Sequence, residues 1–363
     1  MVTIKDVARA AGVSVATVSR AHNRSHLVTE ATGRRVRAVA ERLGYSPHAA
    51  ARSLSTRQTS TIGVLLPDLY GEFYSELIRG IDQTAQRHGF HLLLASSHNE
   101  KGAITAALQS MRGRVDGLVV MSPALGAHLA VRDLPASFPV VLLNSAATGA
   151  AFDAITIANA RGAADMVQHL VGLGHRRLAM ILGPETNSDA AERLRGFRAA
   201  AQAAGLGRED VWEVPGDFTD TSGFEAGVAL LRQARRPTAV FAANDAMAIG
   251  ALSALREASV AVPAEVAVTG FDDIPMARYT HPPLSTVRVD IAALGSRAAA
   301  RLLEAVGNHH RSQGHRTGRQ GEVCQQGGPD LDNDAPPSGG VPDVPRDDVV
   351  GPRAEARQDV RTV

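Results

Sequence analysis

Apolar residues follow two different rhythms along the chain. Over the first forty-five residues they recur at helical spacing, and from Thr61 they gather into short solid runs separated by amphipathic stretches. In the first part, Thr3 and Asp6 form a capping-box-like start to a helix predicted over Ile4 to Ala10, with Val7, Ala8 and Ala11 on one face and Gly12 interrupting it. Ser14 can cap a second helix from Val15 to about Asn23. The tight glycine-bearing turn between the two is that of a helix-turn-helix. Thr29 opens a third helix whose Val36, Val39, Ala40 and Leu43 share a face, and Gly44 stands where a left-handed cap would end it. Gly33 inside that helix costs about 1 kcal/mol relative to alanine. Beyond it, Pro47 can start a short helix carrying Ala49, Ala50, Ala51 and Leu54, marginal in water on its own.

From Thr61 the runs TIGVLLP, FHLLLAS, GLVVM and PVVLLN predict strands, interleaved with helices over Ser75 to His88 and Gly102 to Arg112. A second series follows, with strands RLAMILG, Val211 to Val214, TAVFAA and VAVTGF. Its helices fall over Arg161 to Gly172, Ser188 to Ala204, Ser222 to Gln233 and Asp245 to Ala258. Strands alternating with helices imply βαβ units and parallel sheets, here in two lobes of similar construction. The fold class expected is therefore α/β: an N-terminal three-helix helix-turn-helix domain, then a two-lobed domain with parallel sheets. The boundaries read as 1–46 for the helical domain, 47–60 for the short helix and linker, and 61–306 for the two-lobed domain. Its first lobe takes about 61–159 and 288–306, its second about 160–287, and 307–363 is left as a structureless tail.

Composition narrows the function. The chain has 363 residues, 44% of them hydrophobic, enough for a sizeable core, and no apolar stretch approaches the roughly 18 residues of a membrane span. The charged N-terminus does not read as a signal peptide, so a cytoplasmic protein is expected. The single cysteine, Cys324, excludes a disulfide scaffold and a Cys-rich zinc site. The net charge of +1 hides an asymmetry: residues 1–60 hold ten Lys or Arg against three acids. That concentration is the electrostatic footprint of a module that binds nucleic acid through its phosphates.

Ligands of doubly wound sheets lie beyond the carboxyl ends of the strands. There the sequence sets Asp68, Phe73 and Tyr74, then Asn144, Arg193, Phe218, Asn244 with Asp245, and Asp272 with Asp273. Aromatic faces suit the apolar face of a sugar or a base, and Arg193 and Asp272 suit directed hydrogen bonds to hydroxyls. The candidate effector site is Phe73, Tyr74, Asn144, Arg193, Phe218, Asn244 and Asp272; Asn244 and Asp245 also read as helix caps, and Phe73 as core. No GxSxG, HExxH, Walker loop or GxGxxG after a strand occurs, so neither an enzyme nor a cofactor is expected, and no metal site either. The acids Asp245, Asp272 and Asp273 are the only support for catalysis.

The segments TIKDVARAAG and GVSVATVSRAHN resemble the N-terminus of the LacI/GalR family of bacterial transcriptional regulators, of the lactose, galactose and purine repressor type. DLYGEFYSEL, VLLNS, DAAERLRGF, GDFTDTSGF, AANDAMAIGA and TGFDDIPMARYTHPPLSTV are similar to its later segments, extending the resemblance over residues 2 to about 306. The resemblance implies that the second helix enters the major groove, with Val15, Ala16 and Arg20 at or near base edges. Thr3, Ser14, Thr17, Ser19 and Asn23 carry groups suited to phosphate oxygens, and Ser14 and Thr17 are also capping residues. It further implies that residues 47–60 carry a hinge helix in which Leu54 wedges into the minor groove, and that the two-lobed domain is like a periplasmic binding protein. The alternative is an exposed Leu54 at a linker end, with Arg52 and Arg57 simply holding phosphates. The seven residues above fall on the family's effector site.

A single recognition helix reads one half-site, so a homodimer on a near-palindromic double-stranded operator is expected, with no membrane partner. The effector expected is a small molecule, most simply a sugar. A purine acting as corepressor, or a solute-binding protein without DNA function, are the rival readings. Two departures from the family stand out: Ala158 occupies a place where aspartate is common, and the family's terminal strand, of the type L-P-x-x-L-V-V-R, does not occur after 306. A reading-frame change would account for the latter. The tail is dense in Gly, Pro, Asp and Arg, lacks aromatics and predicts disorder; His309, His310 and His315 within it make no convincing metal site.

Overall fold

A computed structural model describes residues 2–23, 27–45, 58–98, 100–123, 131, 134–135, 137–144, 152–319 and 348–350. The expected hinge helix with Arg52 and Leu54, and the side chain of Asn23, lie outside the described residues. The chain divides into two compact units, one containing residues 1–61 with 112–116, the other 62–111 with 117–363.

The first unit holds α1 (Ile4–Ala11), α2 (Val15–Asn23) and α3 (Glu30–Arg42). Their apolar stripes meet in a small core of Val7, Ala8, Ala11, Val18, Ala21, Val36, Val39 and Ala40. Local chemistry sets the ends. Asp6 accepts from the N–H and hydroxyl of Thr3 at 3.0 and 2.7 Å, the Thr29 hydroxyl accepts from the N–H of Thr32, and Gly12 and Gly44 take left-handed conformations with φ of 62° and 65°. In the same unit, the N–H groups of Thr59 and Ser60 both donate to the Asp116 carboxylate, at 2.7 and 2.8 Å.

The second unit is built from two parallel α/β lobes. Lobe 1 carries β1 (Thr61–Leu66), α4 (Glu72–Arg87), β2 (His91–Ser96), α5 (Lys101–Met111), β3 (Gly117–Met121), β4 (Val140–Leu143) and β5 (Asp153–Ile157). Lobe 2 follows with α6 (Asn159–Gly172), β6 (Leu178–Ile181), α7 (Ser188–Ala203), β7 (Val211–Val214), α8 (Asp220–Leu231), β8 (Ala239–Ala242), α9 (Asp245–Glu257), β9 (Ala267–Asp272) and β10 (Ser285–Arg288). A 3-10 turn, Pro275–Tyr279, separates β9 from β10. The chain then returns through α10 (Ile291–Arg319), which packs on α4 in lobe 1. The first sheet runs β11-β5-β4-β3-β1-β2 and the second β10-β9-β8-β6-β7, β11 being Asp348–Val350. Parallel registers such as Val64 with Val119 and Met180 with Phe241 aim the carboxyl ends of neighbouring strands the same way. The strands β1, β3, β4, β6 and β8 are buried almost throughout, as expected of sheets covered on both faces.

The structure departs from the sequence reading at three places. The strands β5 and β10 were not expected: DAITI and STVR mix polar with apolar residues instead of forming a solid apolar run, and β10 lies at a sheet edge. Helices α4 and α8 begin earlier than expected, at Glu72 and Asp220, because Gly71 and Thr219 cap them; the Thr219 hydroxyl accepts from the N–H of Ser222. The tail is not structureless from residue 307. Helix α10 continues to Arg319, since no proline interrupts it and buried Leu302 and Val306 anchor its preceding turns. Residues 348–350 add a parallel strand beside β5, in the lobe 1 sheet.

Candidate functional site

In the helical unit, the second helix divides cleanly into two faces. Val18 and Ala21 point into the core, while Ser14, Val15, Ala16 and Arg20 are exposed, Val15 to 41%. At 100° per residue, Val15, Ser19, Ala16 and Arg20 span an arc of about 140° opposite the buried pair. Two small apolar side chains and a guanidinium are thus presented to solvent where a surface helix would ordinarily carry polar groups. Ser14 caps α2, its hydroxyl accepting from the N–H of Thr17 at 3.1 Å and meeting the Thr17 hydroxyl at 2.9 Å. Thr3 is exposed, and Thr17 and Ser19 are half-buried.

Between the lobes, three of the expected effector residues, Asn144, Arg193 and Asp272, join a buried polar chain. It starts at Asn144, just after β4, whose side-chain amide donates to Asp189 at 3.0 Å. Asp189 lies in the first turn of α7 and also accepts from Asn159 at 2.9 Å. Asn159 in turn accepts from Nε of Arg193 at 2.9 Å, and Nη2 of Arg193 lies 3.1 Å from Asp272, the last residue of β9. The remaining contact of Arg193 is a short hydrogen bond from Nη1 to the carbonyl of Ala243, and its guanidinium lies 3.8 Å over the ring of Phe271 and 6.0 Å from that of Phe218. Asn144, Asn159, Asp189, Arg193 and Asp272 are all buried.

Backbone geometry supports the convergence. Asn144, Phe218 and Asp272 have positive φ, of 48°, 74° and 112°, a conformation that costs a non-glycine residue about 1–3 kcal/mol and clusters at functional sites. Phe73 and Tyr74, from the first turn of α4, pack edge to face with centroids 5.5 Å apart. The Tyr74 hydroxyl is pushed far above its ordinary pKa by burial first, then by the charges of Asp68, Asp189 and Asp272. Burial likewise raises Asp189 to about 6, against the opposing pull of Arg193 and the two asparagine amides. Burial raises Asp272 to about 6 as well, opposed by Arg193 and assisted by Asp189.

Two of the sequence candidates serve the scaffold. Asn244 caps α9 by accepting from the N–H of Met247, and donates to the carbonyl of Phe218 at 3.0 Å, so it holds Phe218 in place. Asp245 is fully buried, with both oxygens taken by the N–H of Ile274 and the Thr286 hydroxyl, and so secures the turn after β9. Sequence reasoning missed Asp189 and Asn159. The signal for Asp189 was its four-residue spacing ahead of Arg193 on one helix face; Asn159 lies ahead of the helix expected from Arg161, where nothing local marked it as a partner of Arg193. Among the described residues no group of three or more His, Cys, Asp or Glu could hold a metal ion, and no helix is long and apolar enough to cross a membrane.

A three-helix unit with an exposed recognition-type helix, followed along the chain by paired α/β lobes bridged by a buried polar chain, is the arrangement of a ligand-responsive DNA-binding regulator. Comparison with known proteins agrees. Residues 3–48 match the family described as bacterial regulatory proteins, lacI family, and residues 167–325 match the periplasmic binding protein-like domain. The ribose operon repressor of Escherichia coli K12 is 39% identical over 310 residues, covering 84% of this chain and 93% of the relative. Among solved structures, the lac repressor dimer bound to operator and the anti-inducer ONPF is 30% identical with a TM-score of 0.75, covering 85% of this chain and 93% of that one. A LacI-family regulator from Enterococcus faecium with bound ribose is 28% identical with a TM-score of 0.61, covering 68% and 90%. The chain belongs to the LacI family and is a DNA-binding transcriptional regulator.

Proposed function

We propose that this regulator is a homodimeric repressor that binds a near-palindromic operator and releases it when an uncharged sugar, of the ribose class, enters the cleft between its lobes. The observation that carries the reading is the buried chain Asn144–Asp189–Asn159–Arg193–Asp272, flanked by Tyr74 and Phe218. It offers several acceptors and amide donors, but a single cation that already faces Asp272. Such a site suits hydroxyl groups and disfavours a phosphate or carboxylate, whose charge would meet two buried acids. The similarity to a ribose operon repressor and to a ribose-bound regulator supports the choice of sugar.

On the DNA side, Val15, Ala16 and Arg20 face base edges, Thr3, Ser14, Thr17, Ser19 and Asn23 face phosphates, and Arg52 and Leu54 belong to the hinge. The effector is held by Phe73, Tyr74, Asn144, Arg193, Phe218 and Asp272, with Asn244 positioning Phe218. The protein acts without catalysis and without a cofactor, in the cytoplasm. The test is binding of the purified protein to its own upstream DNA at fixed salt, with and without ribose, ribose 5-phosphate, other pentoses and hexoses, and purine bases. Specific binding weakened by ribose or another free sugar, and not by the phosphorylated one, is expected. Tighter binding with a purine would replace the inducible reading by a corepressor one.

A further inference from the structure

Among the described residues, hydrogen bonds join the two lobes at a place in the polar chain and at a second one away from it. At the first, the N-terminus of α7 meets lobe 1: the Asn144 amide donates to Asp189, and the N–H of Ser188 donates to the carbonyl of Pro123 at 3.3 Å. At the other, Glu72 reaches from the first turn of α4 in lobe 1 to the 3-10 turn Pro275–Tyr279 in lobe 2. There its Oε2 accepts from the N–H of Met276 at 2.8 Å, a contact spanning 204 positions of the chain.

Local chemistry explains why this contact forms. The first N–H groups of any helical turn need partners from outside it. Here the residue before the turn is Ile274, which has no side-chain acceptor, and the first residue is Pro275, which has no N–H. Met276 therefore carries the first free donor of the turn, with no local cap to satisfy it. The partner is a carboxylate from the opposite lobe. Glu72 also follows Gly71, which cannot cap α4 with a side chain, so its negative charge sits favourably at the positive end of that helix. One side chain thus caps the turn in lobe 2 and places a negative charge at the N-terminus of α4 in lobe 1. The turn it grips begins three residues after Asp272, the partner of Arg193.

We propose that Glu72 is a positioning residue of the effector response: it clasps the turn after β9 to lobe 1, so that closure of the lobes and the placing of Asp272 occur together. The proposal rests on the cleft being the effector site. Closing the lobes around a ligand is then assisted by a contact the ligand does not make, and loss of the clasp lowers effector affinity without touching the pocket. An acceptor, rather than a charge, is what Met276 needs, so the amide of glutamine serves in its place.

Two measurements on the full-length protein test this. Hydrogen exchange without ligand reads the clasp directly. In Glu72→Ala, exchange across residues 275–279 rises about tenfold, the scale of losing one hydrogen bond to a charged group, while β8 and the buried part of α4 keep their protection. Glu72→Gln keeps most of the protection at 275–279. Calorimetric titration with ribose then shows affinity reduced several-fold in Glu72→Ala and largely restored in Glu72→Gln. Unchanged exchange at 275–279 in Glu72→Ala overturns the proposal, as does changed exchange with unchanged ribose affinity. Equal loss in both variants overturns the acceptor role. If the unaltered protein binds neither ribose nor any other sugar, the sugar reading fails, while the exchange measurement still decides whether the clasp exists.

Discussion

At the scale of single residues, the two acids of the cleft make a prediction with a definite sign. Asp189 and Asp272 titrate at about 6 instead of 3.8, because burial penalises their charged forms more than Arg193 and the asparagines favour them. Each therefore holds a proton more tightly in the folded than in the unfolded chain. Its contribution to stability is fully present below pH 4 and is lost as pH rises through about 6. Asp189→Asn removes one such titration but turns one of the two accepted amide bonds into a clash of donors. The variant is thus less stable than the parent at pH 4, and the deficit shrinks by about 2 kcal/mol by pH 7, since one pKa unit is worth about 1.4 kcal/mol. Urea unfolding of both proteins across that range checks it; a deficit independent of pH would mean that Asp189 is ionised throughout. Arg193 and Asp272 were legible in the sequence because they follow the α/β rhythm. Glu72 was not, since its partner is a backbone N–H two hundred residues away and no side-chain pattern records such a contact.

At the scale of elements, two glycines within helices separate propensity from packing. Gly33 in α3 is buried, yet a methyl group there would meet only the end of the Arg37 guanidinium, at 3.3 Å. Gly80 in α4 is different: a methyl would lie 2.0 Å from the carbonyl of Ala292 in α10, so the glycine permits the two helices to touch. Gly33→Ala is expected to stabilise the helical unit by about 0.5–1 kcal/mol, whereas Gly80→Ala forces the helices apart at about 1–3 kcal/mol or more. Thermal unfolding of both variants reads the two signs, and a destabilised Gly33→Ala would mean that Arg37 cannot move aside. The sequence suggested only the first half of this, that Gly33 is costly; the crossing of α4 and α10 is tertiary and left no local trace. The same division runs through the fold. Buried strands such as VVLL and LAMI are continuous apolar runs and were read directly, while β5 and β10 are interrupted by polar residues and were not. The extension of α10 to Arg319 was missed for a related reason: composition described the tail as a whole, and the helix depends on the packed turns that precede it.

At the scale of the whole molecule, recognition of DNA and of effector are assigned to different compact units, and thermodynamics constrains how they communicate. If ribose lowers operator affinity by some factor, operator must lower ribose affinity by the same factor, commonly about 5- to 150-fold in coupled systems. The coupling belongs to the protein's two states and to neither site alone. Arg20→Ala removes an exposed guanidinium on α2, far in sequence from any cleft residue. It should weaken operator binding by about 1–3 kcal/mol per half-site if Arg20 reads a base, yet leave the ribose affinity of DNA-free protein unchanged. The reciprocal factor should survive as well, provided both measurements share one salt concentration, because phosphate contacts respond steeply to salt. Operator anisotropy with and without ribose gives one leg of the cycle, and ribose titration of free and operator-bound protein gives the other. Equal factors on the two legs, unchanged by Arg20→Ala, establish a single equilibrium linking cleft to operator. Should Arg20→Ala alter ribose binding without DNA, α2 would itself take part in the effector response, and the assignment of the two recognitions to separate units would fail.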